Sequence, residues 1–304
     1  MGDPSSGQNR WAFRPIPPEP RSITELIRTG TLDADLAATI WLLLEARVPV
    51  LVAGDARGVG KTTLLATIMD FVPSELNVVE LRGVHETFDW LPEASELGWP
   101  GTTRRPLAGQ PIRPDNTIVL ATELSDHTPA YTWGDAARLV VRAAAIGYGF
   151  AATMHGDSLD DVFAALRARP VTLTDDELSR LGVVLVLRQD VRGNRHVVAA
   201  HYVRPVVRDL HGHVQRLGPA VLATWDATLG RFEHFGWGVI PELAIRVGRR
   251  AGDFELETEA RRAFLDGLVA GGITDVEAVR AAIQRYRSSA IAAPPTDRPT
   301  TATN

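Results

Sequence analysis

A glycine-rich segment carries the only lysine of the chain. Lys61 is the single lysine among 32 lysine and arginine residues, and it lies within Gly58-Val59-Gly60-Lys61-Thr62-Thr63. A compact ammonium at this one position favours phosphate binding, because arginine serves as the cation everywhere else. The backbone N–H groups of Gly58, Val59 and Gly60 would cradle phosphate oxygens. Lys61 would reach the β- and γ-phosphates of ATP, while the Thr62 hydroxyl would hold Mg²⁺.

The elements around this loop are those that position a phosphate. Residues 48–53 are predicted to form a short buried strand, and residues 62–71 a helix whose first N–H groups point at an anion. One spacing departs from the usual motif, since Asp55 occupies the place of the first glycine and Gly54 lies one residue earlier. An accidental glycine-rich turn is the alternative. Strand, loop and helix occur in the required order, which favours nucleotide binding.

Two polar residues follow other predicted strands. Residues 117–122 form an apolar strand that leads into Glu123, and residues 149–154 form another that leads into His155. Ligands of open α/β sheets bind at the carboxyl ends of the strands, where both side chains are expected. Glu123 would orient or deprotonate the attacking water and bind Mg²⁺ through water, as an ATPase requires. A solvated glutamate and a structural histidine are the simpler alternatives.

Composition limits the class of protein. The 304 residues, 45% of them apolar, suffice for one large domain or two smaller ones. A net charge of −5 gives no reason to expect nucleic-acid binding. The absence of cysteine excludes disulfides and thiolate metal sites and suits the cytoplasm. The longest apolar stretch, residues 40–44, is too short to span a bilayer. The arginine pairs Arg249-Arg250 and Arg261-Arg262 are predicted to form a solvated helix face.

The order of predicted elements indicates the fold class and the domain boundaries. Strands that alternate with helices predict an α/β fold with a mostly parallel sheet flanked by helices. An attached antiparallel β segment is predicted over about 183–236, and a C-terminal helical pair within 246–287. The proline-rich residues 1–21 are interpreted as a tail or linker and residues 288–304 as a disordered tail. Residues 22–245 remain for the nucleotide-binding domain.

Taken together, these motifs resemble the type II/type IV secretion ATPases, and most closely their tight-adherence (Tad/Flp) pilus-assembly branch. The likeness covers roughly residues 14–240 and includes Ile112-Arg113-Pro114-Asp115 before the strand glutamate and Thr153-Met154-His155-Gly156-Asp157-Ser158 after it. It implies a RecA-like P-loop NTPase core, ATP and Mg²⁺ as cofactors, a hexameric ring, and an inner-membrane platform protein as partner. The family's N-terminal assembly domain has no counterpart in this sequence, so the hexamer is an expectation from resemblance alone.

The resemblance also implies roles for individual residues. His155 matches the histidine of the family's histidine box, a γ-phosphate sensor or coupler. Glu80 matches one acid of the box that follows the phosphate loop, whereas Leu81 stands where the second acid is expected. Glu86 would supply that second acid. With Glu123 and Lys61 as the groups acting on water and phosphate, Glu80 and His155 would link the phosphate state to subunit movement.

The function that this resemblance implies is an ATP-hydrolysing motor subunit, cytoplasmic and attached to the inner membrane through partners. The alternative is a degenerate member that binds ATP as a regulatory or structural subunit with little hydrolysis. Asp55, Leu81 and Ser125 motivate this alternative, since the family commonly has an arginine at the position of Ser125. A P-loop kinase is a third possibility, although the antiparallel segment is unlike the arginine-rich lid of such enzymes.

Overall fold

The computed structural model describes residues 19–56, 58–101, 112–208, 211 and 213–292. The helices in these ranges are α1 (Ile23–Arg28), α2 (Ala34–Glu45), α3 (Lys61–Ile68), α4 (Asp135–Ala145), α5 (Leu159–Arg167), α6 (Asp175–Leu178), α7 (Ile240–Arg246), α8 (Ala251–Ala270) and α9 (Val276–Ala292). The strands are β1 (Val50–Ala53), β2 (Asn77–Glu80), β3 (Thr117–Leu124), β4 (Gly149–Met154), β5 (Val183–Gln189), β6 (Arg195–Tyr202), β7 (Val207–Arg208), β8 (Val214–Gln215), β9 (Ala220–Asp226) and β10 (Arg231–His234).

Eight of these strands form one sheet, in the order β10-β9-β6-β5-β1-β4-β3-β2. The strands β5, β1, β4, β3 and β2 are parallel, whereas β6, β9 and β10 continue the sheet antiparallel beside β5. The strand that leads into the phosphate loop, β1, lies inside the sheet, and β4 separates it from β3. This arrangement confirms the predicted fold class, an α/β core with a mostly parallel sheet, an antiparallel β segment and a C-terminal helical pair.

Both faces of the parallel strands are buried, each by a different set of helices. Side chains alternate along β1, so Val50 and Val52 join one apolar core while Leu51 and Ala53 join the other. The first core receives side chains from α1, α2, α3 and the helices after residue 239, and the second from α4, α5 and α6.

The helices α8 and α9 pack on α2 through a buried charge cluster. Glu45 accepts hydrogen bonds from Arg261 Nη2 at 2.6 Å, Arg287 Nε at 2.9 Å and Trp41 Nε1 at 2.6 Å. Both guanidinium groups lie over the Trp41 ring, 5.5 and 5.7 Å from its centroid. Arg261 is only 8% exposed, so the prediction of a solvated helix face is wrong for this residue. Its charge is tolerated because a carboxylate and an indole face pair with it.

Several boundaries differ from the sequence-based expectations. The helix α9 runs to Ala292, into the range predicted to be a tail, and the short elements α6, β7, β8 and β10 were not predicted. Residues 293–304, and residues 1–18 of the predicted N-terminal tail or linker, lie outside the described residues. Across the described part of the chain, no helix combines the length and the apolar character that crossing a bilayer requires.

Candidate active site

The predicted phosphate loop connects β1 to α3. Gly58 and Gly60 have φ angles of 80° and 104°, in the left-handed region that favours glycine. The helix α3 begins at Lys61, so the N–H groups of its first turn, including that of Thr62, have no acceptor within the helix. Lys61 is 7% exposed, and its Nζ donates to the Gly54 carbonyl at 2.7 Å. The loop is therefore folded around an ammonium and a set of N–H donors that fit a phosphate group.

The position of Gly54 accounts for the unusual spacing of the motif. A Cβ atom on Gly54 would lie 2.7 Å from the Leu187 carbonyl oxygen and 3.0 Å from Val59 Cγ1. The backbone of β5 and the buried Val59 thus leave space only for glycine here. Gly54 takes the place of the first glycine, and the additional residue, Asp55, is exposed on the outside of the loop.

A β-bulge sets the direction of Glu123. The strand β3 does not end at residue 122 as predicted, and Glu123 belongs to the strand itself. Between Ala121 and Leu124 the register with β4 shifts, so Thr122 and Glu123 both face Thr153. Thr153 Oγ1 donates to the Thr122 carbonyl at 2.6 Å and gives the bulged backbone a partner. A bulge re-aims the side chains beside it, and here it places a carboxylate that is 5% exposed at the carboxyl edge of the sheet.

His155 follows β4 and meets Glu123. Its Nε2 lies 2.8 Å from Glu123 Oε1, and on the other side of the ring its Nδ1 lies 3.9 Å from Asp55 Oδ1. The Gly54 N–H donates to the Met154 carbonyl at 3.2 Å, which fixes the start of the phosphate loop beside the histidine. The structure thus brings two predicted site residues into direct contact next to the loop. A carboxylate in contact with an imidazole can hold or move a proton.

The strand order determines how far apart the strands that carry the predicted site residues lie. Because β4 lies between β1 and β3, about 10 Å separate the strand that leads into the phosphate loop from the strand that carries Glu123. Glu80 ends β2, one strand further out, where it is half-buried and in register with Leu120. Its register partner Leu120 lies three residues before Glu123 on the neighbouring strand.

Glu86 has a structural role that the sequence did not predict. Its carboxylate accepts hydrogen bonds from Arg82 N at 3.1 Å, Phe88 N at 2.8 Å and Trp90 Nε1 at 3.2 Å. These bonds fold residues 82–90 into a compact turn, and Glu86 is 8% exposed. These hydrogen bonds give Glu86 a role in holding this loop, and its interpretation as the second acid of an acidic box stays a prediction.

Arg195 lies against the phosphate loop, a position that was not predicted. Its Cδ lies 3.1 Å from the place where Gly60 would carry a Cβ atom. With Arg21, Thr31 and Asn194, it lines a cavity of about 190 Å³ beside the first turn of α3. This contact depends on the antiparallel strand β6 folding back along β5, which spacing in the sequence cannot show.

His127 is a second residue that sequence reasoning missed. It lies in the loop that follows β3, and its ring centroid is 4.7 Å from that of His155, with the two planes at 68°. The path of this loop brings a second imidazole to the edge of the sheet. The loop is irregular, so no periodic pattern in the sequence could have predicted that His127 lies beside His155.

Comparison with known proteins gives partial likenesses. No protein-family model matches the chain. Two proteins of Methanocaldococcus jannaschii are similar in sequence, the uncharacterized protein MJ1287 at 28% identity over 172 residues and the uncharacterized protein MJ0900 at 24% identity over 290 residues. The alignments cover 53% and 89% of this chain. The chain spans 59% and 49% of the length of these two relatives.

Two solved structures share parts of the fold. The VirB11 ATPase from the Brucella suis type IV secretion system, in complex with sulphate, has a TM-score of 0.38 and 22% identity, covering 55% of this chain and 52% of that chain. The Legionella pneumophila ATPase DotB has a TM-score of 0.35 and 13% identity, covering 83% of this chain and 59% of that chain. With both TM-scores below 0.5, neither likeness establishes a family or a function for this chain.

Proposed function

We propose that this chain is an ATP-hydrolysing motor subunit of a type II/type IV secretion system or a tight-adherence pilus-assembly system. Its main support is the Glu123–His155 pair, with 2.8 Å between Oε1 and Nε2, at the sheet edge that also holds the phosphate loop. The order of motifs along the sequence, which resembles that family, supports a RecA-like motor core. The subunit would convert hydrolysis into mechanical work on an inner-membrane platform protein.

The phosphate loop would bind the triphosphate. The N–H groups of Gly58 and Gly60, together with those at the start of α3, would donate to phosphate oxygens. The Val59 N–H, which donates to the Ala56 carbonyl at 3.2 Å, would exchange that bond for one to a phosphate oxygen. Lys61 would exchange its hydrogen bond to a backbone carbonyl for one to the γ-phosphate, and Thr62 in the first turn would be a ligand of Mg²⁺. Bound ATP and Mg²⁺ would supply the transferable phosphoryl group and the cation that neutralises its developing charge.

The attacking water would bind at the end of the site that carries Glu123. Glu123 would orient the attacking water molecule and accept its proton, and its low exposure keeps bulk solvent from competing for the carboxylate. His155, in contact with Glu123 and facing Asp55, would report whether the γ-phosphate is present. Glu80 would relay the change outward along β2, and its separation from the pair makes this the least direct of the four roles.

Replacing Thr153 by valine is expected to lower stability and ATP turnover together. Valine keeps the shape of this fully buried side chain but leaves the Thr122 carbonyl unpaired, which costs about 1–3 kcal/mol. Thr24→Val is a matched control, because Thr24 is also fully buried and donates to the Ile273 carbonyl at 2.7 Å. Urea unfolding should show a loss in both variants, and a steady-state assay should show lower turnover in Thr153→Val alone. Normal turnover in Thr153→Val would contradict the role given to the bulge.

Arg195 is expected to contribute to nucleotide affinity. The cavity it lines beside α3 is suited to the base and ribose, since it continues from the phosphate loop and mixes apolar with hydrogen-bonding side chains. Arg195→Ala should weaken ATP binding by about tenfold, the loss expected for one hydrogen bond from a charged group. Arg192→Ala is the control, because Arg192 is exposed in the adjoining turn. Isothermal titration with a non-hydrolysable ATP analogue measures the affinity of both variants. Equal affinities in Arg195→Ala and Arg192→Ala would exclude a role of Arg195 in nucleotide binding.

Assembly and location follow from the proposed motor role. A single subunit cannot pump continuously, so a homo-oligomeric ring is expected, and the family resemblance makes a hexamer the first candidate. The chain would work in the cytoplasm and reach the inner membrane through its platform partner. These statements rest on the resemblance rather than on contacts within the chain.

The experiment that tests the proposed function is a steady-state ATPase assay on the purified protein with Mg²⁺, with its mass in solution followed with and without nucleotide. Turnover together with nucleotide-dependent assembly would support a motor subunit. Tight ATP binding without turnover would instead support the regulatory or structural subunit. The exposed Asp55, Leu81 in place of an acid, and a Ser125 hydroxyl that has no hydrogen-bond partner within the described residues are the departures that favour this alternative.

A further inference from the structure

Three potential metal ligands from separate segments meet at the carboxyl edge of the sheet. Glu123 lies on β3, His127 in the loop after it, and His155 at the end of β4. Each offers one ligand atom, and the three atoms all lie within 4.8 Å of one another. The site described above uses Glu123 and His155 for water and phosphate sensing, and gives no role to the second imidazole.

Backbone contacts hold His127 in this position. The loop 125–132 is closed at its base by a hydrogen bond from Thr132 N to the Glu123 carbonyl at 2.9 Å. Its tip is held by a hydrogen bond from Val84 N to the Pro129 carbonyl, also at 2.9 Å. Gly83 lies so close to the tip that a Cβ atom there would overlap the Pro129 carbonyl oxygen. A loop fixed at both ends presents its side chains with little entropy left to lose on binding.

The donor set selects the kind of ion. Two imidazoles and a carboxylate form a common protein site for Zn²⁺ and related first-row cations, whereas Mg²⁺ prefers oxygen ligands. In a tetrahedral zinc site the ligand atoms lie about 3.3 Å apart, given Zn–N distances of about 2.0–2.1 Å. The 2.8 Å between His155 Nε2 and Glu123 Oε1 and the limit of 4.8 Å for the whole set bracket that spacing. Small side-chain rotations would therefore form the site.

The surroundings of His155 also suit its use as a metal ligand. Its Nε2 lies 2.8 Å from Glu123 Oε1 while its Nδ1 faces Asp55 Oδ1 at 3.9 Å. A metal-binding histidine commonly donates its second ring N–H to a carboxylate, which fixes the tautomer and the ring orientation. A modest movement of the exposed Asp55 side chain would complete that hydrogen bond. Asp55, which departs from the usual phosphate-loop motif, thereby acquires a specific use.

We propose that Glu123, His127 and His155 bind a first-row divalent transition cation of the Zn²⁺ class, and that the bound ion inhibits hydrolysis by withdrawing the Glu123 carboxylate from water. The binding half stands on the geometry of the three ligands. The inhibitory half rests on the proposed function, because it requires that Glu123 act in hydrolysis. The ion would then act as an inhibitor distinct from the Mg²⁺ that accompanies the nucleotide.

Binding is tested by titrating the metal-free protein with Co²⁺, whose visible absorption bands report the ligand geometry, followed by displacement with Zn²⁺. We expect one equivalent to bind to the wild type, and His127→Ala to weaken Zn²⁺ binding by about 100-fold or more, since loss of outer-shell partners alone costs about 10–100-fold. His85→Ala is the matched control, because His85 is exposed on the neighbouring turn and outside the cluster. Equal affinity in the wild type and His127→Ala would overturn the site.

Inhibition is tested separately, with excess Mg²⁺ and ATP. Added Zn²⁺ should lower the turnover of the wild type and of His85→Ala, and His127→Ala should resist it at the same concentrations. Inhibition that persists in His127→Ala would overturn the inhibitory half. If the chain proves to have no ATPase activity, the proposed function fails, yet the Co²⁺ titration still decides whether the three residues form a metal site.

Discussion

Glu123→Gln is expected to lower ATP turnover by about 10²–10⁴-fold, the usual contribution of a general base, while ATP binding is retained. The amide has nearly the shape of the carboxylate and can keep the contact with His155, so the edge of the sheet should keep its geometry. What it cannot do is accept the proton of the attacking water. A single-turnover assay with radiolabelled ATP measures the rate of the chemical step. An equilibrium titration measures whether ATP affinity is retained.

Glu86→Gln provides the comparison for this experiment. Glu86 is another buried carboxylate, but it accepts hydrogen bonds from the turn 82–90 and stabilises that loop. Its amide variant should be less stable to urea and still turn over ATP. Turnover of Glu123→Gln within tenfold of the wild type would show that another group activates water. A wild type no faster than Glu123→Gln would favour the nucleotide-binding regulatory subunit.

Lys61→Met is expected to lower ATP turnover by about 10³-fold and to weaken ATP binding as well. Methionine preserves the apolar stem that packs in this buried position but removes the charge that would meet the γ-phosphate. Lys61→Arg should fail nearly as badly, because a planar guanidinium cannot occupy the place of a compact ammonium that donates to the Gly54 carbonyl at 2.7 Å. Turnover assays and nucleotide titrations on both variants provide the measurement.

The single lysine of the chain offers an independent check. An amine-reactive reagent has Lys61 as its only side-chain target, so mass spectrometry after limited labelling reads this one site. Saturating ATP should protect Lys61 from labelling if the γ-phosphate binds there. Unchanged labelling in the presence of ATP, or ATP affinity in Lys61→Met equal to that of the wild type, would place the nucleotide elsewhere.

The parallel half of the fold could be predicted from sequence because its signals are local. Buried parallel strands are short apolar runs, and β4 was predicted with the boundaries Gly149–Met154 that the structure shows. The antiparallel half was predicted in outline, but β10 was missed. Of its four residues, Arg231–His234, the first and last are exposed and the middle two half-buried, and Phe232 is the one apolar residue among them, so the strand has too little apolar character to be distinguished from a turn.

The sequence named Glu123 and His155 as candidate site residues, and their roles stay predictions. It could not show the contact between them, which depends on the bulge in β3 and on the Thr153 hydroxyl that supports it. Arg195 and His127 were missed because they reach the site through pairing and loop closure between segments distant in sequence. The structural role of Glu86 was not predicted, since the hydrogen bonds through which it holds the turn 82–90 cannot be seen in a sequence.

The charge cluster around Glu45 bears on how short the folding unit can be. A chain cut before Arg261 would lose both guanidinium partners of Glu45, and breaking a buried ion pair costs about 3–5 kcal/mol. A typical domain has a free energy of unfolding of about 5–15 kcal/mol, so this loss would be a large fraction of it. Arg287 also donates to the Phe71 carbonyl, in the turn that follows α3. The smallest fragment that keeps the phosphate-loop helix properly supported must therefore extend past Arg287, and the C-terminal helices belong to the same cooperative unit as the loop.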